Sequence, residues 1–156
     1  MPGFATSGGR YIIAATPVSN IEPAYDLKTI TNYKAVNASA SSGINKEAVN
    51  GKPALVFKQP AGDTLQWTIT TGVADMYSLA IRYANPLQQT LTARLQLLDI
   101  NDHVLNEQTL TFTPSVPGKW NYTNSSTGTT INAGIYRLRL LGLDAAGLAI
   151  EGLDVQ

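Results

Sequence analysis

Thr64-Leu65-Gln66-Trp67-Thr68-Ile69 sets a large apolar side chain at every second position and a hydroxyl or an amide between them. Successive side chains of an extended chain point to opposite faces, so Leu65, Trp67 and Ile69 share one face while Thr64, Gln66 and Thr68 share the other. The stretch predicts a strand, dry on one side and wet on the other, with Trp67 pointing inward. The same alternation recurs along the chain. Residues 76–84 set Tyr77, Leu79, Ile81 and Tyr83 against Ser78, Ala80 and Arg82, and they stop at Asn85-Pro86, where proline has no N–H for a ladder. Leu91, Ala93, Leu95 and Leu97 alternate with Thr92, Arg94 and Gln96, and Asn101-Asp102 then reads as a turn into 103–112, which makes the pair an antiparallel hairpin. Tyr136, Leu138 and Leu140 alternate with Arg137 and Arg139. The last strand, 148–155, changes its apolar face at Gly152, where a bulge accounts for the shift.

Weaker strand candidates lie at 12–14, 18–22, 33–41, 54–58 and 127–131, which brings the count to about nine to eleven short strands at the spacing of a sandwich or barrel. No window repeats apolar residues at helical spacing, so almost no helix is expected. One-sided alternation fits antiparallel sheets better than a parallel sheet, whose strands are apolar throughout. The expected fold is therefore all-β, a jelly-roll β-sandwich of two antiparallel sheets. Residues 1–10, with three glycines and a proline and no apolar period, read as a flexible lead-in or linker remnant, and 11–156 as a single module. The longest irregular segment is expected at 42–53.

Composition narrows the function. The chain has 156 residues, 11 Lys+Arg against 11 Asp+Glu, and no cysteine. With no net charge to track phosphates or an anionic bilayer, nucleic acid is not an expected partner. No run approaches the roughly 18 apolar residues of a membrane span, so no membrane insertion is expected either. The opening MPGFATSGGR lacks the apolar stretch of a secretory signal, so the chain reads either as soluble as made or as a piece cut from a longer protein, the second being favoured. The absence of cysteine removes thiolate chemistry, and the single histidine, His103, falls in a predicted turn where a polar residue needs no catalytic reason. G-x-S-x-G, P-loop, HExxH and EF-hand patterns are absent. Catalysis is therefore not expected.

The segment Pro117-Gly118-Lys119-Trp120-Asn121-Tyr122-Thr123-Asn124 places two aromatics among amides after a Pro-Gly turn. A sugar ring offers an apolar C–H face that stacks on Trp or Tyr, and edge hydroxyls that seek amides, so this composition suits a neutral ligand. Trp120 and Tyr122 share a face on any extended segment, and that face is either a stacking platform or core.

The order of motifs then becomes familiar. Gly62-Asp63-Thr64-Leu65-Gln66-Trp67, followed by Tyr77-Ser78-Leu79-Ala80-Ile81-Arg82-Tyr83-Ala84-Asn85, resembles the "GD-x-x-x-aromatic … Y-x-L-x-x-R-Y-A-N" signature of carbohydrate-binding modules of families 6 and 35. Ile21-Glu22-Pro23-Ala24 is similar to their opening "I-E-A-E", Gly118-Lys119-Trp120 to their "G-x-W", and residues 133–140 to their "A-G-x-x-x-L-R-L". The resemblance covers about 18–156 and extends to modules attached to exported bacterial glycoside hydrolases of family 2, the β-galactosidase type. It implies a galactose-binding-like jelly roll with a sugar site in loops at one end. Trp120 would stack on the sugar, and Asn50, Asn121 and Tyr122 would bond its hydroxyls. It also implies a structural calcium ion, with Glu22 and Glu151 at the acidic ligand positions and Ala24 in place of the other opening Glu. Ala149 stands where the closing strand usually carries a sugar-binding Asn. The implied function is a non-catalytic, exported module that binds oligo- or polysaccharide beside a parent catalytic domain. The alternative is a module that has lost its sugar site and packs against that domain.

Overall fold

The computed structural model describes residues 30–156. These form eleven strands and one short 3-10 turn, so the all-β expectation holds. The strands are β1 (Thr31–Lys34), β2 (Ser39–Ala40), β3 (Ile44–Val49), β4 (Lys52–Phe57), β5 (Thr64–Thr71), β6 (Ser78–Ala84), β7 (Leu91–Leu98), β8 (Val104–Phe112), β9 (Asn121–Ser126), β10 (Gly134–Asp144) and β11 (Ala149–Val155). One sheet has the order β2-β5-β10-β7-β8. The other has the order β9-β6-β11-β4-β3, with β1 also paired to β11. Both are antiparallel, and they face each other as a β-sandwich.

The alternating patterns close on a common interior. Leu65, Trp67 and Ile69 from β5, with Leu138 and Leu140 from β10, meet Leu79, Ile81 and Tyr83 from β6 and Phe57 from β4 in one cluster of buried side chains. Trp67 is 2% exposed, as its place in the pattern predicts. The β7–β8 hairpin forms as expected, and β11 shifts register between Ile150 and Gly152, where the bulge was expected.

Three expectations need correction. Residues 42–53 are mostly strand: β3 and β4 pair as a hairpin through Asn50-Gly51. Both turn residues have positive φ, 49° and 80°, the geometry in which Asn-Gly matches the twist of the flanking strands. Residues 33–41 do not form one strand. The chain leaves β1, tucks the fully buried Ala35 into the core through the 3-10 turn Ala35–Asn37, and crosses to the other sheet as β2. The strand expected at 127–131 lies earlier, at Asn121–Ser126; Gly128, with φ 72°, turns the chain away, and Ile131 keeps only an isolated bridge to Asp75. The candidate strands at 12–14 and 18–22, and the lead-in 1–10, lie outside the described residues.

At one end of the sandwich the β3–β4 turn, the exit of β6, the β8–β9 loop and the approach to β11 come together. The fully buried Asn85 fastens the exit of β6 to the β8–β9 loop. Its Nδ2 donates to the carbonyls of Gln89 (2.8 Å) and Phe112 (2.9 Å), and its Oδ1 accepts from Leu87 N–H. Its backbone exchanges hydrogen bonds with Ser115. A buried amide with all its valences matched rigidifies what it joins.

Candidate functional site

The register of β9 against β6 decides where the aromatics point. Asn121 pairs with Tyr83 and Tyr122 with Arg82. Directly paired residues share a face, and Tyr83 belongs to the core. Asn121 therefore lies on the inward side, while Tyr122 projects outward and is 51% exposed. Trp120, two residues before Tyr122, is half-buried on the outer face of the six-stranded sheet. It packs on a small apolar patch of Ala54, Val56, Ala84 and Ala149, separate from the main core. The Arg82 guanidinium lies over the ring, 5.7 Å from its centroid. Both sets of partners belong to the outer face of the six-stranded sheet, so Trp120 is held there by the small apolar side chains and by the Arg82 cation. Trp120 thus belongs to a secondary apolar patch on the outer face and not to the main core.

Asn50 lines the same end of the sandwich with part of its amide engaged. Its Nδ2 donates to the Lys119 carbonyl at 3.0 Å, so the Asn-Gly turn braces the loop that carries Trp120. The four candidate residues thus separate into a platform (Trp120, Tyr122), a brace (Asn50) and one residue on the opposite side of the strand (Asn121).

Beneath the platform lies a charged group. Glu151 is only 3% exposed, with its Oε2 2.7 Å from Lys34 Nζ and its Oε1 3.8 Å from Arg82 Nη1. Arg82 Nε, Trp120 Nε1 and Glu151 Oε1 are buried without a protein hydrogen-bond partner. A bulge places Glu151 here, because the extra residue in β11 turns its side chain outward beside Ala149. The arrangement does not fit a calcium ligand. The carboxylate already faces two cations, whereas calcium takes six to eight oxygens. Among the described residues no group of three or more His, Asp or Glu gathers to hold a metal. Glu22 lies outside the described residues.

His103 sits in the β7–β8 turn at the far end of the sandwich, 75% exposed, with Nδ1 3.2 Å from Asp99 Oδ2. The backbone N–H of His103, above all, and that of Asn101 hold the Asp99 carboxyl below the usual range. Such a turn needs no catalytic reading.

Beside Trp120 a cleft of about 270 Å³ opens between the Asn50 turn, Pro86, the 116–118 turn and Gly147, with Val56, Ala84 and Ala149 as its floor. Sequence reasoning missed this floor. Its signal was the run of small and branched residues on the outward positions of β4, β6 and β11, where a solvated face would carry polar side chains.

The chain matches no family model and none of the curated proteins. Solved structures share its fold. A family 35 carbohydrate-binding module from Clostridium thermocellum superposes with a TM-score of 0.69 at 20% identity, over 81% of this chain and 97% of that one. The C-terminal family 6 module of a laminarinase from Zobellia galactanivorans gives a TM-score of 0.60 at 18% identity, over 82% of this chain and 99% of the module. A Podospora anserina β-(1,4)-mannanase that joins a family 26 catalytic domain to a family 35 module matches with a TM-score of 0.60 at 17% identity, over 81% of this chain and 27% of the enzyme. The fold expected from the sequence resemblance is the fold observed.

Proposed function

We propose that this chain is a non-catalytic carbohydrate-binding module that holds neutral glycan at the Trp120 end of the sandwich for a larger, exported glycoside hydrolase. The observation that carries the reading is the outer sheet face: an indole resting on an apolar patch whose Val56, Ala84 and Ala149 also floor a cleft, with the exposed phenol of Tyr122 two residues further along the same face. Such a surface suits the C–H face of a sugar and needs no net charge. Trp120 stacks, Tyr122 extends the contact and offers its hydroxyl, and Asn50 keeps the loop in place. The chain's neutrality and the likeness in fold to modules carried by glycoside hydrolases support the same reading. The sequence resemblance adds a galactose-binding-like site and a family 2 parent to the proposal.

Affinity should be millimolar to micromolar, since a shallow site with few anchors gains little beyond the cost of association. Calorimetric titration of a panel of neutral oligosaccharides tests this. Saturable binding that Trp120→Ala abolishes supports the site, and an unchanged response in that variant removes Trp120 from it. Ala149, where a sugar-binding Asn would stand, favours a second reading in which the module packs on its parent's catalytic domain. Failure of every glycan to bind would favour that reading.

A further inference from the structure

The cleft beside Trp120 has an apolar floor, and several of the polar groups around it are already engaged. Ser115 Oγ accepts from Asn85 N–H at 2.9 Å and donates to the Asn85 carbonyl at 3.1 Å. Asn50 Nδ2 is committed to Lys119, and Glu47 and Lys58 pair with each other. The backbone N–H of Gly147 donates to the Phe57 carbonyl at 2.8 Å, and the Val116 carbonyl accepts from Lys119 N–H at 2.9 Å. Pro86 and Pro117 have no N–H to give. The floor is Val56, Ala84 and Ala149. A hydroxyl pushed against that floor loses water and meets no side-chain partner there, which costs binding, whereas a methyl group gains by leaving water.

We infer that this cleft takes a methyl substituent of a sugar ring, so that the module prefers 6-deoxy or O-methylated sugars over their fully hydroxylated counterparts. The inference rests on the sugar-binding reading above and names the ligand class of the same site. The volume agrees: about 270 Å³ falls below the roughly 300–1,000 Å³ of clefts that enclose drug-sized ligands. One substituted ring edge fits, and Trp120 packs on the same Val56, Ala84 and Ala149 that floor the cleft.

Matched pairs test it. D-fucose against D-galactose and L-rhamnose against L-mannose probe the deoxy source of the methyl; 3-O-methyl-D-glucose against D-glucose probes the ether source. Binding is read by calorimetry and by saturation-transfer NMR. The methyl-bearing member of at least one pair should bind about 4-fold tighter or more, the ratio expected for burying one methyl-sized group, with the strongest saturation at the methyl protons. Val56→Thr, which keeps the shape and adds a hydroxyl to the floor, should erase that preference; Ala149→Asn should reverse it if the variant folds. Equal or tighter binding of the hydroxylated members, in a site that Trp120→Ala still abolishes, overturns the inference and leaves the sugar-binding reading standing. If no saccharide of the panel or the pairs binds, both fall.

Discussion

Trp67 and Trp120, the two tryptophans of the chain, lie on opposite sides of the six-stranded sheet. Trp67 reaches toward it from β5 and is sealed in the interior with Leu65 and Ile69. Trp120 rests on its outer face, over four small side chains and a guanidinium. Both obey the same period of two, and what differs is the company on each face. In β5 the apolar residues share the tryptophan's face and the polar ones the opposite side. In β9 the inward positions are Asn121, Thr123 and Ser125, and the outward ones are Tyr122, Asn124 and Ser126, with Trp120 entering the strand on that outer side. A segment that turns both its aromatics outward and has only polar side chains inward has a surface worth exposing, since burial alone would favour the reverse.

The comparison can be broken first through stability. Trp67→Ala should cost about 3–5 kcal/mol, the usual range for emptying an aromatic site in a core, and should lower the denaturant midpoint sharply. Removing the support under the outer platform comes next. Glu151→Ala leaves two cations facing a vacated buried position and should cost about 3 kcal/mol, the low end for a broken buried pair because Lys34 is half-exposed. Trp120→Ala should cost only about 1–2 kcal/mol, as expected for a half-buried side chain, while removing the glycan response. Equal costs for the two tryptophan variants would contradict the division between interior and platform. Gly51→Val forces a branched residue into a positive φ and should cost about 1 kcal/mol or more. It should also weaken binding, because the same turn braces the Trp120 loop through Asn50.

The smallest effect belongs to the far end of the molecule. Asp99 has a folded pKa below its unfolded value, chiefly through the His103 backbone N–H. Its contribution to stability is therefore whole above about pH 5 and fades as pH falls below the unfolded value of about 3.9 through the lower folded one. Denaturation midpoints at acidic and neutral pH should show a slightly smaller acid loss in Asp99→Asn than in the parent chain. Glycan binding should be the same in both.

Much of the sandwich was legible because its central strands alternate cleanly. Leu65, Trp67 and Ile69, or Leu79, Ile81 and Tyr83, declare their inner face without any tertiary information. The edges were less legible. β9 carries few apolar residues, so its span was misplaced toward 127–131, and the Asn50-Gly51 signal was passed over in a stretch read as irregular. Of the site, the Trp120–Tyr122 pair was legible from spacing. Its outward direction was not, because an isolated strand does not say which of its faces meets another sheet. The intramolecular contacts of Asn50 and Glu151 were not legible. One braces through Lys119 and the other pairs with Lys34 and Arg82, and both relations join positions 69 or more residues apart.

The most direct measurement uses the two tryptophans against each other. Trp67→Phe leaves Trp120 as the only indole in the chain, so its emission reports the platform alone. Titration with the oligosaccharide panel should then give a saturable change in intensity or wavelength as a sugar ring covers the indole. A fluorescence that stays constant while calorimetry registers glycan binding would place the sugar elsewhere and contradict the account.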